Sequence, residues 1–311
     1  MGKLLDALGA ADGLTRYVGG AVRDQLLDIP VRDIDLATRL QPREVVERLE
    51  SARIKAVPTG IEHGTITAVS DGQPVEVTTL RRDVSTDGRR ATVAFTDDWK
   101  EDAARRDFTI NALMADPVSG ELFDYFGGLA DIEKRLVRFI GDPLQRIAED
   151  HLRILRFFRF HARFGGGQPD AAALEACSAR ANDLMALSRE RIADELLKLL
   201  DARDPSATVE LMLGRQILKP VVPEIEPTAL GHLRDLIAAE RQSGVSQDCL
   251  RRLVALLPPD AEVAGRVAAR LKLSNRARQR IACGAIRDVE GEPRALAYRI
   301  GNECAVDRLL L

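Results

Sequence analysis

Asp33 and Asp35 stand either side of Ile34 in DIDLAT, a stretch in which polar and apolar residues alternate. On a strand that spacing turns both carboxylates to one face, while Ile34 and Leu36 pack on the other. Two carboxylates so placed repel each other unless a cation sits between them. Mg²⁺ suits such a pair, because it takes one or two carboxylates and fills the rest of its shell with water and substrate phosphates. On its own the pair reads more readily as a solvated strand face, and its surroundings shift the balance. Just upstream lies GGAVRD, where Gly19-Gly20 forms a turn into a helix and lets backbone N–H groups approach an anion closely. Arg23, one turn into that helix, can add charge-assisted hydrogen bonds to phosphate. Glu76, in PVEVTTL, becomes a third carboxylate if its strand lies beside the first; a surface glutamate is the equal alternative.

A second set of residues lies further along. At about 100° per residue, Arg153, Arg156, Arg159 and Arg163 fall on one stripe of a helix in EDHLRILRFFRFHARF, with Ile154, Leu155, Phe158 and Ala162 opposite. Four arginines poorly balanced by acids call for an anion or a base edge facing them. Phe157, Phe160 and Phe164 are expected to flank that site as packing, and one of them can touch a base. From Val263 to Arg287 there are seven basic residues and no acid. Ser274 is placed to cap a helix that displays Arg276, Arg278 and Arg280, a pattern that suits phosphate tracking along an RNA.

The elements that must hold these residues alternate between strand and helix in the first third. Thr15–Val18 and Asp33–Thr38 read as strands, and Pro42 sits in the first turn of a helix carrying Val45, Val46 and Leu49 on one stripe. HGTITAV and PVEVTTL form a hairpin across Asp71-Gly72. From Phe108 onward helices dominate, and Gly165-Gly166-Gly167 marks a loop. The spacing GGxxxD is not that of a dinucleotide-binding fingerprint.

Composition excludes several classes. The chain has 311 residues, 45 Lys+Arg against 48 Asp+Glu, 45% hydrophobic residues and no apolar run of membrane-spanning length. The first residues lack the layout of a signal peptide, which fits a cytoplasmic protein. Cys177, Cys249, Cys283 and Cys304 are scattered without CxxC spacing, which argues against zinc and against a disulfide framework. All nine phenylalanines, Trp99 and Tyr125 fall between residues 95 and 164, so different parts of the chain follow different rules.

Five segments taken in order carry a resemblance: GGAVRDQLLDIPVRDIDLAT, RRDFTINAL (105–113), DYFGGLADIEKRLVRFIGDP, EDHLRILRFFRF (149–160) and RERIADELLKLL (189–200). Together they resemble the bacterial tRNA nucleotidyltransferase and poly(A) polymerase family, in the branch that contains CCA-adding enzymes, over roughly the first 200 residues. The resemblance implies an α+β nucleotidyltransferase head of mixed sheet and helices over residues 1–140, a helical neck over 141–200 and a helical body and tail over 201–311. It implies addition of C, C and A to a tRNA 3′ end from CTP and ATP without a nucleic-acid template; poly(A), CC-only and A-only addition are the alternatives within the family.

In that reading Asp33 and Asp35, with Glu76, serve Mg²⁺ and catalysis. Gly19, Gly20 and Arg23 cradle the triphosphate, and Arg106 and Asp107 contact the ribose, with Asn111 fixing the turn. Without the resemblance, Arg105-Arg106-Asp107 would read as exposed charges at a helix start. Asp150 and Arg153 read the base, while Arg156 and Arg159 hold the nucleotide. Cytosine and adenine each present an amino donor beside a ring-nitrogen acceptor, matching a carboxylate beside a guanidinium, whereas uracil and guanine reverse that order. Residues 81–95 are expected as the flexible loop of enzymes that add all three nucleotides, with an ordinary long hairpin loop as the alternative. The implied partners are tRNA, ATP and CTP, with no membrane and no protein partner indicated.

Overall fold

The computed structural model describes the backbone of residues 1–87 and 90–311 and the side chains of residues 1–82 and 94–311. The chain divides into two compact units, Met1–Glu149 and Asp150–Leu311.

Among its described residues the first unit has nine strands: β1 (Thr15–Val18), β2 (Asp35–Thr38), β3 (Lys55–Gly60), β4 (Thr65–Ser70), β5 (Gln73–Thr79), β6 (Arg81–Asp87), β7 (Arg90–Phe95), β8 (Met114–Ala115) and β9 (Leu122–Phe123). Seven of them form one sheet in the order β3-β4-β5-β2-β1-β8-β9. The β2–β5 pair is parallel and the other pairs in this sheet are antiparallel. Alternation along β2 splits its side chains between two cores. Leu36 joins Ile66, Val75 and Val77 on one face, covered by Leu4, Leu8, Val45 and Leu49 from the helices Gly2–Ala7 and Pro42–Ser51. Ala37 joins Val18, Leu80, Trp99, Ala103, Ala112, Met114 and Ile140 on the other. Each of these fully buried aliphatic side chains contributes about 1.5–3 kcal/mol, so the two cores clamp the strand that carries Asp35 from both sides.

Strand β2 begins at Asp35, so Asp33 precedes it in the extended lead-in rather than lying on the strand as expected. The β4–β5 hairpin turns through Asp71 and Gly72, both with positive φ (53° and 78°), the pairing that a two-residue primed turn requires. Residues 81–95, expected as a flexible loop, pair as the hairpin β6–β7 with Arg81 opposite Phe95. Gly88 of its expected Asp87-Gly88 centre lies outside the described residues.

Among its described residues the second unit is helical throughout, from Arg153–Phe164 to Asn302–Leu310. No helix among the described residues is long and apolar enough to cross a membrane. Its later helices are tied by buried charge. Glu240, 2% exposed, accepts from Arg251 (2.7 Å) and Arg252 (2.9 Å), and Asp307, 1% exposed, accepts from Arg251 (2.9 Å). Arg252 also donates to the carbonyl oxygens of Leu200 and Ala202, so a guanidinium closes the C-terminal end of the Arg189–Leu200 helix.

One expectation from cysteine spacing is corrected here. Cys283 and Cys304 form a disulfide between the helices Asn275–Ala285 and Asn302–Leu310. Their 21-residue separation carries no motif; the packing of these two helices brings the sulfurs together.

Candidate active site

In the first unit the site grows from the parallel pairing of β2 with β5. Asp35, the first residue of β2, is the register partner of Glu76, placing the two Cα positions side by side on neighbouring strands. Burial pushes the Asp35 carboxyl above its ordinary pKa, and Glu76 and then Asp33 push it the same way, while Arg106 pulls it down. Among the described residues no group of three or more His, Cys, Asp or Glu is gathered closely enough to hold a metal ion on its own. The three acids instead form an open array of hard oxygen donors with mutual repulsion. Such a set fits a divalent cation whose shell is completed from outside the protein.

The segment 102–113 faces this array. Gly19 takes φ +66° and ψ −124°, and a Cβ added there would stand 2.9 Å from Nη1 of Arg106, so the turn needs glycine both for its backbone and for the space that arginine fills. The Gly19 N–H donates to the Leu113 carbonyl (3.0 Å), tying the turn to this segment. Asp102, on the helix Trp99–Ala104, accepts from Arg105 Nε (2.9 Å) and Arg106 Nη2 (3.2 Å). Asp107 accepts from the Phe108 N–H and from Asn111 Nδ2 (3.0 Å), and Asn111 Oδ1 accepts in turn from Arg23.

The Thr109–Asn111 turn is braced from outside. Thr109 Oγ1 donates to Asp131 (2.5 Å), and Asp124 accepts the N–H groups of Phe126, Gly127, Gly128 and Leu129, which presses Gly128 against the Thr109 carbonyl.

In the second unit, Asp150 stands before the Arg153–Phe164 helix. Its Oδ1 accepts the Leu152 N–H (3.1 Å) and its Oδ2 accepts from Arg191 (2.7 Å). Arg159 Nε donates to Glu195 (2.6 Å), and Arg156 lies 3.6 Å from the same carboxylate, which is 4% exposed. Arg191 and Glu195 share one face of the Arg189–Leu200 helix at i, i+4 spacing. Phe157, Phe158, Phe160 and Phe164 are all buried, so none of these four is a surface for a base.

The chain also has clear relatives. Residues 15–138 match the family model described as the poly A polymerase head domain, and residues 168–228 match one described as the probable RNA and SrmB-binding site of polymerase A. It is 49% identical to the mitochondrial CCA tRNA nucleotidyltransferase 1 of Mus musculus over 188 residues, 60% of this chain and 43% of that protein. It is 37% identical to the CCA-adding enzyme of Staphylococcus epidermidis over 219 residues, 70% of this chain and 53% of the other. Together the two family models span more than half of the chain, which thereby belongs to the poly(A) polymerase family, and the relatives it matches are CCA-adding enzymes. In three dimensions it matches the Bacillus stearothermophilus CCA-adding enzyme in complex with CTP with a TM-score of 0.81 at 27% identity, covering 99% of this chain and 76% of that one. The chain spans about half the length of the curated relatives first matched.

The family's expected site residues divide by placement. Gly19, Gly20, Asp35, Glu76 and Arg106 lie around one end of β2 in the first unit, linked by the register pairing and by the Arg106 contacts. Arg23, 5% exposed, is turned inward onto Asp24 and Asn111, and Asp107, 8% exposed, brackets the turn, so both hold other residues in place. The arginine stripe is better balanced than its own helix suggests, because Glu195 arrives from another helix. Of the three tail arginines, Arg280 is committed to Asp248 (2.9 Å) and Asp307 (2.7 Å), Arg276 pairs at the surface with Glu303 (2.9 Å), and Arg278 is exposed. Asp102, Arg191 and Glu195 were given no role from sequence. Two of them lie in the quoted segment RERIADELLKLL, whose i, i+4 Arg–Glu pair was the available signal.

Proposed function

We propose that the chain is a template-independent tRNA nucleotidyltransferase that adds C, C and A to tRNA 3′ ends from CTP and ATP. The observation that carries the reading is the pairing of Asp35 with Glu76 beside the Gly19 turn and Arg106: an open carboxylate array next to an anion-receiving turn and a cation. The reaction joins the RNA 3′ oxygen to the α-phosphorus of the nucleotide and breaks the bond to the departing pyrophosphate.

Asp33, Asp35 and Glu76 would hold Mg²⁺, and bound Mg²⁺ would supply activation of the hydroxyl and neutralisation of the phosphates. The Gly19-Gly20 turn, with Gly19 giving the close approach and Gly20 the backbone N–H, and the guanidinium of Arg106 receive the triphosphate and ribose, while Arg23, Asp107 and Asn111 keep that turn in shape. Asp150 and Arg153 read the base. The bond from Arg191 leaves Asp150 a carboxylate oriented as acceptor, beside a guanidinium as donor, which matches the amino and ring-nitrogen groups of cytosine and adenine. A reversed base leaves two groups mispaired at about 1–3 kcal/mol each.

Within the second unit we assign residues up to 200 to a neck and 201–311 to a body and tail that meet RNA, with Arg276 and Arg278 as the surface cations.

The deciding assay supplies purified protein with tRNA lacking its 3′ CCA and with CTP and ATP, singly and mixed. Two cytidines with CTP alone and a completed CCA with both nucleotides are expected, and Asp35→Asn should abolish incorporation. Long tails with ATP alone would replace the reading with poly(A) addition, and no incorporation at all would refute it.

A further inference from the structure

Asp102 is the most deeply buried carboxylate near the candidate site, at 1% exposure, and it lies in the first turn of the short Trp99–Ala104 helix. A group so enclosed cannot touch a nucleotide. Its two oxygens are nevertheless fully engaged. Oδ1 accepts the backbone N–H of Arg81 (3.3 Å) and Arg105 Nε (2.9 Å), and Oδ2 accepts Arg106 Nη2 (3.2 Å). Burial alone would raise its pKa, but Arg105 and Arg106 outweigh that and hold it below the ordinary carboxylate range, so it stays charged.

The Arg106 end of this arrangement has few other supports. Its side chain is 19% exposed, Nη1 makes a long 3.4 Å bond to the Asn111 carbonyl, and Nε is buried without a partner. The same Nη1 occupies the space that a side chain at residue 19 would fill, and its charge acts on Asp35. One carboxylate faces two guanidinium groups, so Asp102 holds Arg106 without fully neutralising it.

We propose that Asp102 is a positioning residue for nucleotide binding. Anchored by the Arg81 N–H at the start of β6, it fixes Arg106 beside the Gly19 turn, ready for an anionic nucleotide. The inference rests on the nucleotide-binding role given to Arg106 above. A surface arginine loses several rotatable bonds when it is immobilised on a ligand. One already held by a buried carboxylate has lost them before the nucleotide arrives.

The experiment is a double-mutant cycle on the full chain with D102N, R106A and the pair. It reads the Kd for CTP by equilibrium binding, KM for CTP and for tRNA, and head stability by Trp99 fluorescence. D102N should weaken CTP binding on the order of tenfold, the loss expected when a charge-assisted bond goes. It should change kcat less than threefold and leave KM for tRNA unaltered. In the R106A background the same substitution should change Kd less than twofold. D102E, which keeps the charge, should stay within threefold of the parent. D102S, which can still accept the Arg81 N–H, is carried in parallel in case D102N does not fold.

A D102N protein with parental Kd but lowered stability would overturn the inference, as would an equal loss in both backgrounds or an R106A protein with parental Kd. Because Kd is read without turnover, absence of incorporation by the parent would defeat the proposed activity while the cycle still decides the role of Asp102.

Discussion

Replacing Gly128 by alanine asks how rigidly the Thr109–Asn111 turn is held. Gly128 has ordinary backbone angles, so alanine brings no conformational strain, but its Cβ would stand 2.4 Å from the Thr109 oxygen and 3.0 Å from its carbonyl carbon. Ordinary contact begins near 3.4 Å, so one backbone must yield by about 1 Å. The Thr109 oxygen accepts the Ala112 N–H, and the turn it closes carries Asn111, the group that meets both Arg23 and Asp107. Overpacking costs about 1–3 kcal/mol and a strained turn bond about 1 more, giving a loss of about 2–4 kcal/mol. A shift of that size next to Arg106 should lower kcat/KM by about 100-fold.

Trp99 is the single tryptophan, is 4% exposed and lies in the core cluster that contains Ala112, so its fluorescence in urea reports unfolding of the first unit alone. The control is Gly265→Ala, in the interior of the Ala261–Arg270 helix, where an added Cβ meets nothing within 4 Å. It should stabilise the second unit, read by far-UV circular dichroism, by about 0.5–1 kcal/mol. A G128A protein with the parental Trp99 midpoint and kcat/KM within twofold would show that the turn absorbs the methyl group, and the reasoning about its rigidity would be wrong.

Glu195→Gln removes the charge from a buried carboxylate that Arg159 Nε meets at 2.6 Å. Allowing for the 15% exposure of the arginine side chain, it should cost about 2–4 kcal/mol in a circular-dichroism melt and reduce nucleotide incorporation as well. Asp248 is held below the ordinary carboxylate range, since the Arg251 N–H and the Arg280 guanidinium outweigh the effect of its burial. Its contribution is therefore present above the ordinary carboxylate pKa and lost as pH falls through the lowered value. Urea midpoints should drop on acidification, and by about 1 kcal/mol less in D248N. Reduction of Cys283–Cys304 should destabilise the second unit by about 3 kcal/mol for a 21-residue separation, with C283S/C304S insensitive to dithiothreitol.

What was legible in the sequence was local. The Gly19-Gly20 turn, the Asp71-Gly72 hairpin and the amphipathic Arg153–Phe164 helix each carry their signal within a few residues and are formed, while the alternation in DIDLAT is formed as a strand from Asp35 only. Partnerships across elements were not legible. That Glu76 stands beside Asp35 follows from the order of strands, and strand order is set by the way two helices cover Leu36 and its neighbours. Glu195 accepts from Arg159, 36 residues away, and Asp307 takes Arg280 away from the surface where its own helix would present it. Burial of the arginine heads, which no periodicity reports, separates charges that can meet a ligand from those that tie helices together.

The parallel β2–β5 pair also sets an order of events in folding. Parallel neighbours need a long crossover, and here the Pro42–Ser51 helix and the β3–β4 strands lie between Asp35 and Glu76. Until β5 docks against β2, the two carboxylates are far apart and the chain carries no local repulsion between them. Their approach is a non-local closure, slow relative to the hairpins on either side. A divalent cation binding at that array would thus act on the step that brings β5 to β2, and the rate of that step, more than the helical content, should respond to the ion.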